Sequence, residues 1–338
     1  MGVLSFNPRR EGRFVIPRYC LVQLRGGRTF RGFTRWNNEV VAPLRNPINT
    51  DFPVVRDGGV RISERIPLQP YAWWEQRVRQ TLRLIDAGLL VKLVLARSLE
   101  LRTTGLVSPG GLFVKLGRSH PGIYSYCFRI SDRECFVGAI PELLVERTGQ
   151  LVRSRPFAGT VPLSSFSHPR AAVRHLMENN KIAREHSITL HHVRDALLNY
   201  SSGVVTSQPS AVQLATVAHL ASSVECRLPP SSTVSSLDLA YSLHPTPAVA
   251  GFPTQRAVAW IKVLEECDRR EYAGPVGWMD ASGDGEWTLG LRSAHVVAGR
   301  LTLRAGAGLV AGSDPSSEWD ETEAKLATIP ELIGFAGT

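Results

Sequence analysis

Three strand-like runs in close succession, residues 273–280, 286–297 and 300–310, constrain this chain more than any other feature. Turn residues divide them at Ser282-Gly283-Asp284-Gly285 and at Ala298-Gly299, and connections this short join antiparallel neighbours. Further strands are expected at 90–102, 123–130, 134–138 and 142–147, with short β-like pieces in RFVIPRYCLVQL and VVRDGGVRISE before residue 66. Helical periodicity marks 72–87, with Gly88 as its stop, and 168–200, with Pro169 near its start. Two more helices are expected, over 253–267, opened by Pro253 at its first turn, and from about 315 to 333. Antiparallel strands interleaved with a few helices predict an α+β fold rather than a doubly wound parallel sheet.

A length of 338 residues would allow two domains, but no Gly/Ser- or Pro-rich linker, low-complexity tract or repeat divides the chain. One domain over 1–338 is expected. No apolar stretch is long enough to span a bilayer, and the N-terminus lacks the apolar run of a secretory signal, so a cytoplasmic protein is expected. The five cysteines are scattered without a CxxC pair, which fits free thiols better than disulfides or a zinc site.

The net charge of +9 raises the question of nucleic acid. The basic residues are 34 Arg and 5 Lys, densest at 9–35 with eight arginines and one acid. They form no block and accompany no RNP-like signature or zinc-finger spacing, so nucleic acid is not expected as a partner. Attraction of a small anionic substrate is a better use of that charge.

Against that arginine bias each lysine stands out. Lys92 lies in VKLVLARSLEL, which reads as a buried strand. Either its stem packs at a strand end with the ammonium in water, or burial drives it toward a lower pKa, where it can act as a base. Near the C-terminus, Glu318, Glu321 and Lys325 share one helical face. That face is either an ordinary solvated one with a Glu–Lys pair, or a site for a divalent cation, which takes oxygen ligands.

A longer pattern bears on the choice. VKLVLARSLEL (91–101), VGAIPELLVER (137–147), RPFAGTVPL (155–163), NNKIAREHSITL (179–190), VAHLASSV (217–224), LHPTPAVAGFPTQRAV (243–258), YAGPVGWMDASGDGEWTLGLRSA (272–294) and AGAGLVAGSDPSSEWDETEAKL (305–326) follow one another along the chain. In this order they resemble the chorismate-utilising enzymes, and most of all the isochorismate synthases. Residues 67–335 correspond to the catalytic core, and 1–66 resemble a shortened form of the family's variable N-terminal part. The resemblance implies an anthranilate-synthase-like α/β sandwich of two antiparallel sheets with flanking helices and a central site. It also implies a monomer acting on chorismate with Mg²⁺, feeding siderophore, menaquinone or secondary-metabolite synthesis.

The resemblance further implies roles. Water adds at C2 of chorismate and the C4 hydroxyl departs, which needs a base, an acid and a grip on two carboxylates. Lys92 takes the base position, where ammonia-using relatives carry glutamine, and Glu142 takes that of the general acid. Glu185 and Glu321 match the magnesium ligands, and Glu318 matches a carboxylate that reaches the ion through water. Ile182 departs from the acid that many relatives carry there, which reduces the charge behind the ligands, and Ile140 replaces a frequent serine. His186 is expected to pack or hydrogen-bond elsewhere, since adjacent helix residues diverge by about 100°. Arg292 matches the arginine that binds the enolpyruvyl carboxylate, with Tyr272, Gly306, Gly308 and Lys325 as neighbours. His219 resembles a positioning residue near C4, and Gly159 and Thr160 lie in a loop facing the substrate. Ala158 stands where aminodeoxychorismate synthases have a lysine, and Ala248 where salicylate synthases have a threonine. Two alternatives remain: a salicylate synthase that also eliminates pyruvate, and an idle homologue serving as a partner subunit.

Overall fold

A computed structural model describes residues 1–8, 10, 12–16, 59–118, 122–214 and 216–336, with the backbone of the strand pair Tyr19–Gln23 and Thr29–Phe33. Part of the arginine-rich stretch 9–35 and the start of VVRDGGVRISE lie outside the described residues. The fold is α+β, and among the described residues every pairing between its strands is antiparallel.

Two large sheets dominate. One has eight strands, ordered Val204–Thr206, Val224–Arg227, Leu151–Arg155, Leu143–Thr148, Gly285–Leu289, Pro275–Met279, Gly2–Val3 and Arg13–Phe14. The other has seven, ordered Gly251–Phe252, Lys92–Thr103, Arg300–Leu309, Ser293–Val297, Glu134–Ile140 and Tyr124–Ser131, with Ile62–Pro67 also paired to Lys92–Thr103. The sandwich of two sheets is thus present, and a third sheet of three strands (Phe157–Pro162, Val217–Ala221, Ser210–Gln213) joins it. Leu93, Leu95 and Leu309 from one large sheet share a core with Val145, Trp287 and Leu289 from the other, and helices close it with Val193, Leu239 and Ile261. Burial of this apolar area is the main stabilising contribution.

The Ala298-Gly299 turn is as expected. Val297 pairs with Arg300, and the two residues between them have φ of 39° and 78°, the positive pair that a two-residue hairpin turn requires.

Three single elements expected from the sequence are each divided. The helix over 168–200 is two, Pro169–Glu178 and Asn180–Leu198, because Asn179 leaves helical geometry at ψ 114° and caps the second with its side chain, accepting from the Lys181 and Ile182 amides. The C-terminal helix is Pro315–Leu326 followed by Thr328–Ile333, since the Pro330 ring has no N–H for the Leu326 carbonyl. Pro253 is the cap before Thr254–Glu265 rather than its first residue.

The third division matters most. The run 286–297 is two strands, Gly285–Leu289 in the eight-stranded sheet and Ser293–Val297 in the seven-stranded one. The chain changes sheets over Gly290, Leu291 and Arg292, where Arg292 takes a φ of 47°. A second change lies between Glu134–Ile140 and Leu143–Thr148, at Pro141 and Glu142. Among the described residues, no helix is long and apolar enough to cross a membrane.

Candidate active site

The two sheet changes meet at one cleft. Its lining includes Glu142, Gly159, Thr160, Glu185, His219, Ala248, Tyr272, Arg292, Gly306, Gly308 and Lys325. Lys92 and Glu321 are not in this lining but pair with its Glu185 and Lys325, and Glu318 pairs with Lys181 outside it.

Lys92 opens the strand Lys92–Thr103 and is wholly buried, so its ammonium is not at a wet strand end. Its Nζ lies 3.0 Å from Oε1 of Glu185, on the helix Asn180–Leu198. Burial acts to raise the Glu185 carboxyl, but Lys92, Lys325 and Lys181 outweigh it and hold the carboxyl below its ordinary range. Gly308 makes the approach possible. A Cβ there would sit 2.1 Å from Glu185 Oε1 and 3.0 Å from Lys92 Cε. Gly306 is less constrained, a Cβ meeting Val94 at 3.0 Å and the Tyr272 hydroxyl at 3.4 Å.

The face carrying Glu318, Glu321 and Lys325 is not a solvated one. Glu318 is buried and bonded by Lys181. Lys325 donates to Glu321 at 2.5 Å and to the Gly306 carbonyl at 2.8 Å. Burial and the neighbouring Glu321 charge push the Glu318 carboxyl up, against the pull of Lys181. Each of the three carboxylates is therefore held by a different lysine. Among the described residues no three of His, Cys, Asp or Glu converge on one point in this arrangement. The donor set nonetheless suits a hard divalent cation, since Glu318 and Glu321 repel each other and the three carboxylates all act on the Lys181 ammonium.

Glu142 follows the Pro141 corner and is 3% exposed. Burial pushes its carboxyl up to about 8, although the Phe157 amide and the charges of Lys92 and Lys325 act the other way. Arg292 is half-buried on the other corner, at Gly290–Arg292, and desolvation pulls its guanidinium down to about 10. Its Nη2 donates to His219 Nε2 at 3.0 Å, while its Nη1 has no hydrogen-bond partner among the described residues. An acceptor at Nε2 leaves the proton on Nδ1, which faces Thr160 Oγ1 at 2.9 Å. Burial, then Arg292 and Lys325, lower the His219 pKa well below its ordinary value, so the ring is neutral. His186 is turned away, its Nε2 2.8 Å from Ser222 Oγ. Ile182 packs in a small apolar cluster with Val161, Leu176 and Leu220, beneath Gly159.

Sequence reasoning passed over Arg304, Leu291 and Lys181. Arg304 lines the cleft and gives N–H groups to Ser98 Oγ and the Arg269 carbonyl. A signal was present, because Arg304, Gly306 and Gly308 share one face of their strand by the two-residue period.

Comparison with known proteins agrees with this arrangement. A family model described as "Chorismate binding enzyme" matches residues 52–334. The chain is 31% identical over 341 residues to isochorismate synthase EntC of Escherichia coli (strain K12), covering 99% of this chain and 81% of that protein. The solved structure of DhbC from Bacillus anthracis superposes with a TM-score of 0.82 at 30% identity, covering 99% of this chain and 83% of that one. Anthranilate synthase component I from Streptococcus pneumoniae superposes with a TM-score of 0.69 at 26% identity, over 80% of this chain and 60% of that one.

Proposed function

The chain belongs to the chorismate-binding enzyme family, and from that premise we propose that it is an isochorismate synthase, an isomerase that moves the hydroxyl of chorismate from C4 to C2. The observation that carries the reading is Lys92, a fully buried amine beside the cleft where a glutamine would leave no base for water.

In its neutral amine form, Lys92 takes a proton from the attacking water as the C–O bond forms at C2. The ring double bonds shift, the C4–O bond breaks, and Glu142 gives its proton to the departing oxygen. A carboxyl that keeps its proton up to about 8 supplies an acid at neutral pH. Arg292 offers its unpartnered Nη1 to the enolpyruvyl carboxylate, with Tyr272 beside it. His219, neutral and locked between Arg292 and Thr160, orients the arginine and the C4 side of the ring. Glu185 and Glu321 would hold a Mg²⁺ ion, with Glu318 assisting, and the ion would bind the ring carboxylate and draw charge toward it. Gly159, Gly306, Gly308 and Lys325 shape the walls, and the enzyme works on chorismate as a monomer. Ala248 leaves its wall without a hydroxyl, which favours stopping at isochorismate over elimination of pyruvate.

Incubation with chorismate and Mg²⁺, with chromatographic separation of products, tests the reading. Isochorismate in a reversible mixture with chorismate is expected. Stoichiometric pyruvate with salicylate would make it a salicylate synthase, and an unchanged pool would make it an idle homologue.

A further inference from the structure

We propose that Lys181 is a tethered cation for the carboxylates of Glu185, Glu318 and Glu321, and that its ammonium competes with a divalent metal ion for Glu318. The inference rests on the metal assignment proposed above and concerns what this chain does with those carboxylates when no ion is bound.

The chain uses arginine for 34 of its 39 strongly basic residues, yet three of its five lysines are gathered here. Lys92, Lys181 and Lys325 each face a different member of the cluster. Two of them cannot leave. Lys92 has no exposed surface, and Lys325 is also bonded to the Gly306 carbonyl. Lys181 differs: its side chain is 35% exposed, whereas that of Glu318 is 3% exposed. Its backbone is fixed by the Asn179 cap, so the ammonium can swing into water without unwinding the helix.

The position next to it sharpens the point. Ile182 is apolar and committed to the cluster with Val161 and Leu220, so it offers Lys181 no competing carboxylate. The ammonium instead feels Glu318 first, then Glu185 and Glu321, the three groups a divalent ion would need. A metal that takes Glu318 must displace Lys181, and the lost ion pair subtracts from metal affinity. A flexible ammonium neutralises such a cluster without supplying the coordination geometry of an ion. The protein thus keeps its crowded carboxylates tolerable in the empty state and yields them when metal and substrate arrive.

The test is direct metal binding by the full chain, stripped with EDTA and desalted, with free Mn²⁺ read by electron paramagnetic resonance. Lys181→Gln is expected to bind Mn²⁺ roughly fivefold to tenfold more tightly than wild type, in keeping with a partly exposed ion pair worth about 1 kcal/mol. Lys181→Arg, which keeps the charge, is expected to stay within about twofold. Adding Glu318→Gln to Lys181→Gln should erase the gain. Circular dichroism melting of each variant confirms that it is folded. Saturable wild-type binding with unchanged or weaker binding by folded Lys181→Gln overturns the inference and leaves the metal assignment standing. Absence of saturable binding by both wild type and Lys181→Gln overturns the metal assignment together with the inference.

Discussion

Arg292 donates an Nη2–H to Nε2 of His219 across 3.0 Å, and that one bond sets the state of the imidazole. A guanidinium has no acceptor to offer, so Nε2 must be bare and Nδ1 must carry the proton. The ring is a spacer between Arg292 and Thr160. His219→Phe should therefore leave Arg292 free to tilt. Steady-state kinetics should show KM for chorismate rising about tenfold with a smaller fall in kcat, on the scale of one charge-assisted hydrogen bond. A fall in kcat of a thousandfold with KM unchanged would instead make His219 a proton-transfer group.

Lys92→Gln should lower isochorismate formation by roughly 10²- to 10⁴-fold, the usual contribution of a general base, with the melting profile retained. Wild-type product formation by this variant would remove Lys92 from the chemistry. Ammonium salts added to the variant test whether slow amination at C2 becomes detectable.

The pH dependence follows from Glu142. As the proposed acid its carboxyl must be protonated, and burial pushes its pKa up to about 8, so turnover should decline on the alkaline side of that value. Stability follows the same sign. A carboxyl whose folded pKa lies above its unfolded one contributes stability at low pH, and the contribution is lost as pH rises through about 8. At pH 9 the parent must bury a charge that Glu142→Gln lacks. The variant should melt higher than wild type at pH 9, by roughly a few degrees, and differ little from it at pH 5. A variant less stable than wild type at both pH values would contradict this.

Gly308 and Gly306 provide a matched pair. Gly308→Ala places a methyl 2.1 Å from Glu185 Oε1 and must push that carboxylate away from Lys92. Gly306→Ala meets only side-chain atoms at 3.0 Å and 3.4 Å and the Leu95 carbonyl at 3.1 Å. Activity should fall at least about a hundredfold for Gly308→Ala, as misplacement of about 1 Å permits, and clearly less for Gly306→Ala. Equal effects would mean that Glu185 tolerates displacement.

The strands around Ala298-Gly299 were legible because a two-residue turn with positive φ has few sequence solutions. The break at Arg292 was not. The apolar pattern runs through Trp287, Leu289 and Leu291 without a proline or a charge cluster, and only tertiary pairing sends the two halves to different sheets. Asn179 was hidden for a related reason, since it is one of three asparagines in 33 residues of helical pattern, and each reads equally as a solvent-facing residue or a cap. The family motifs brought nearly the whole cleft together, yet Lys181 was passed over. Its partner Glu318 lies 137 residues away, and no local spacing connects them.

Glu142 and Arg292 stand at the two corners where the chain passes between the large sheets, so neither sheet holds a working half of the site. Catalysis here is a property of alignment between two bodies, comparable to a lock whose wards are cut on both the door and the frame. A substitution deep in the shared core, at Leu95 or Trp287, need touch no ligand to matter. By letting one sheet slide on the other, it would blunt turnover while most of the structure still melted as a unit. For such a chain, loss of activity is the earlier alarm for loosening of the core, and melting temperature the later one.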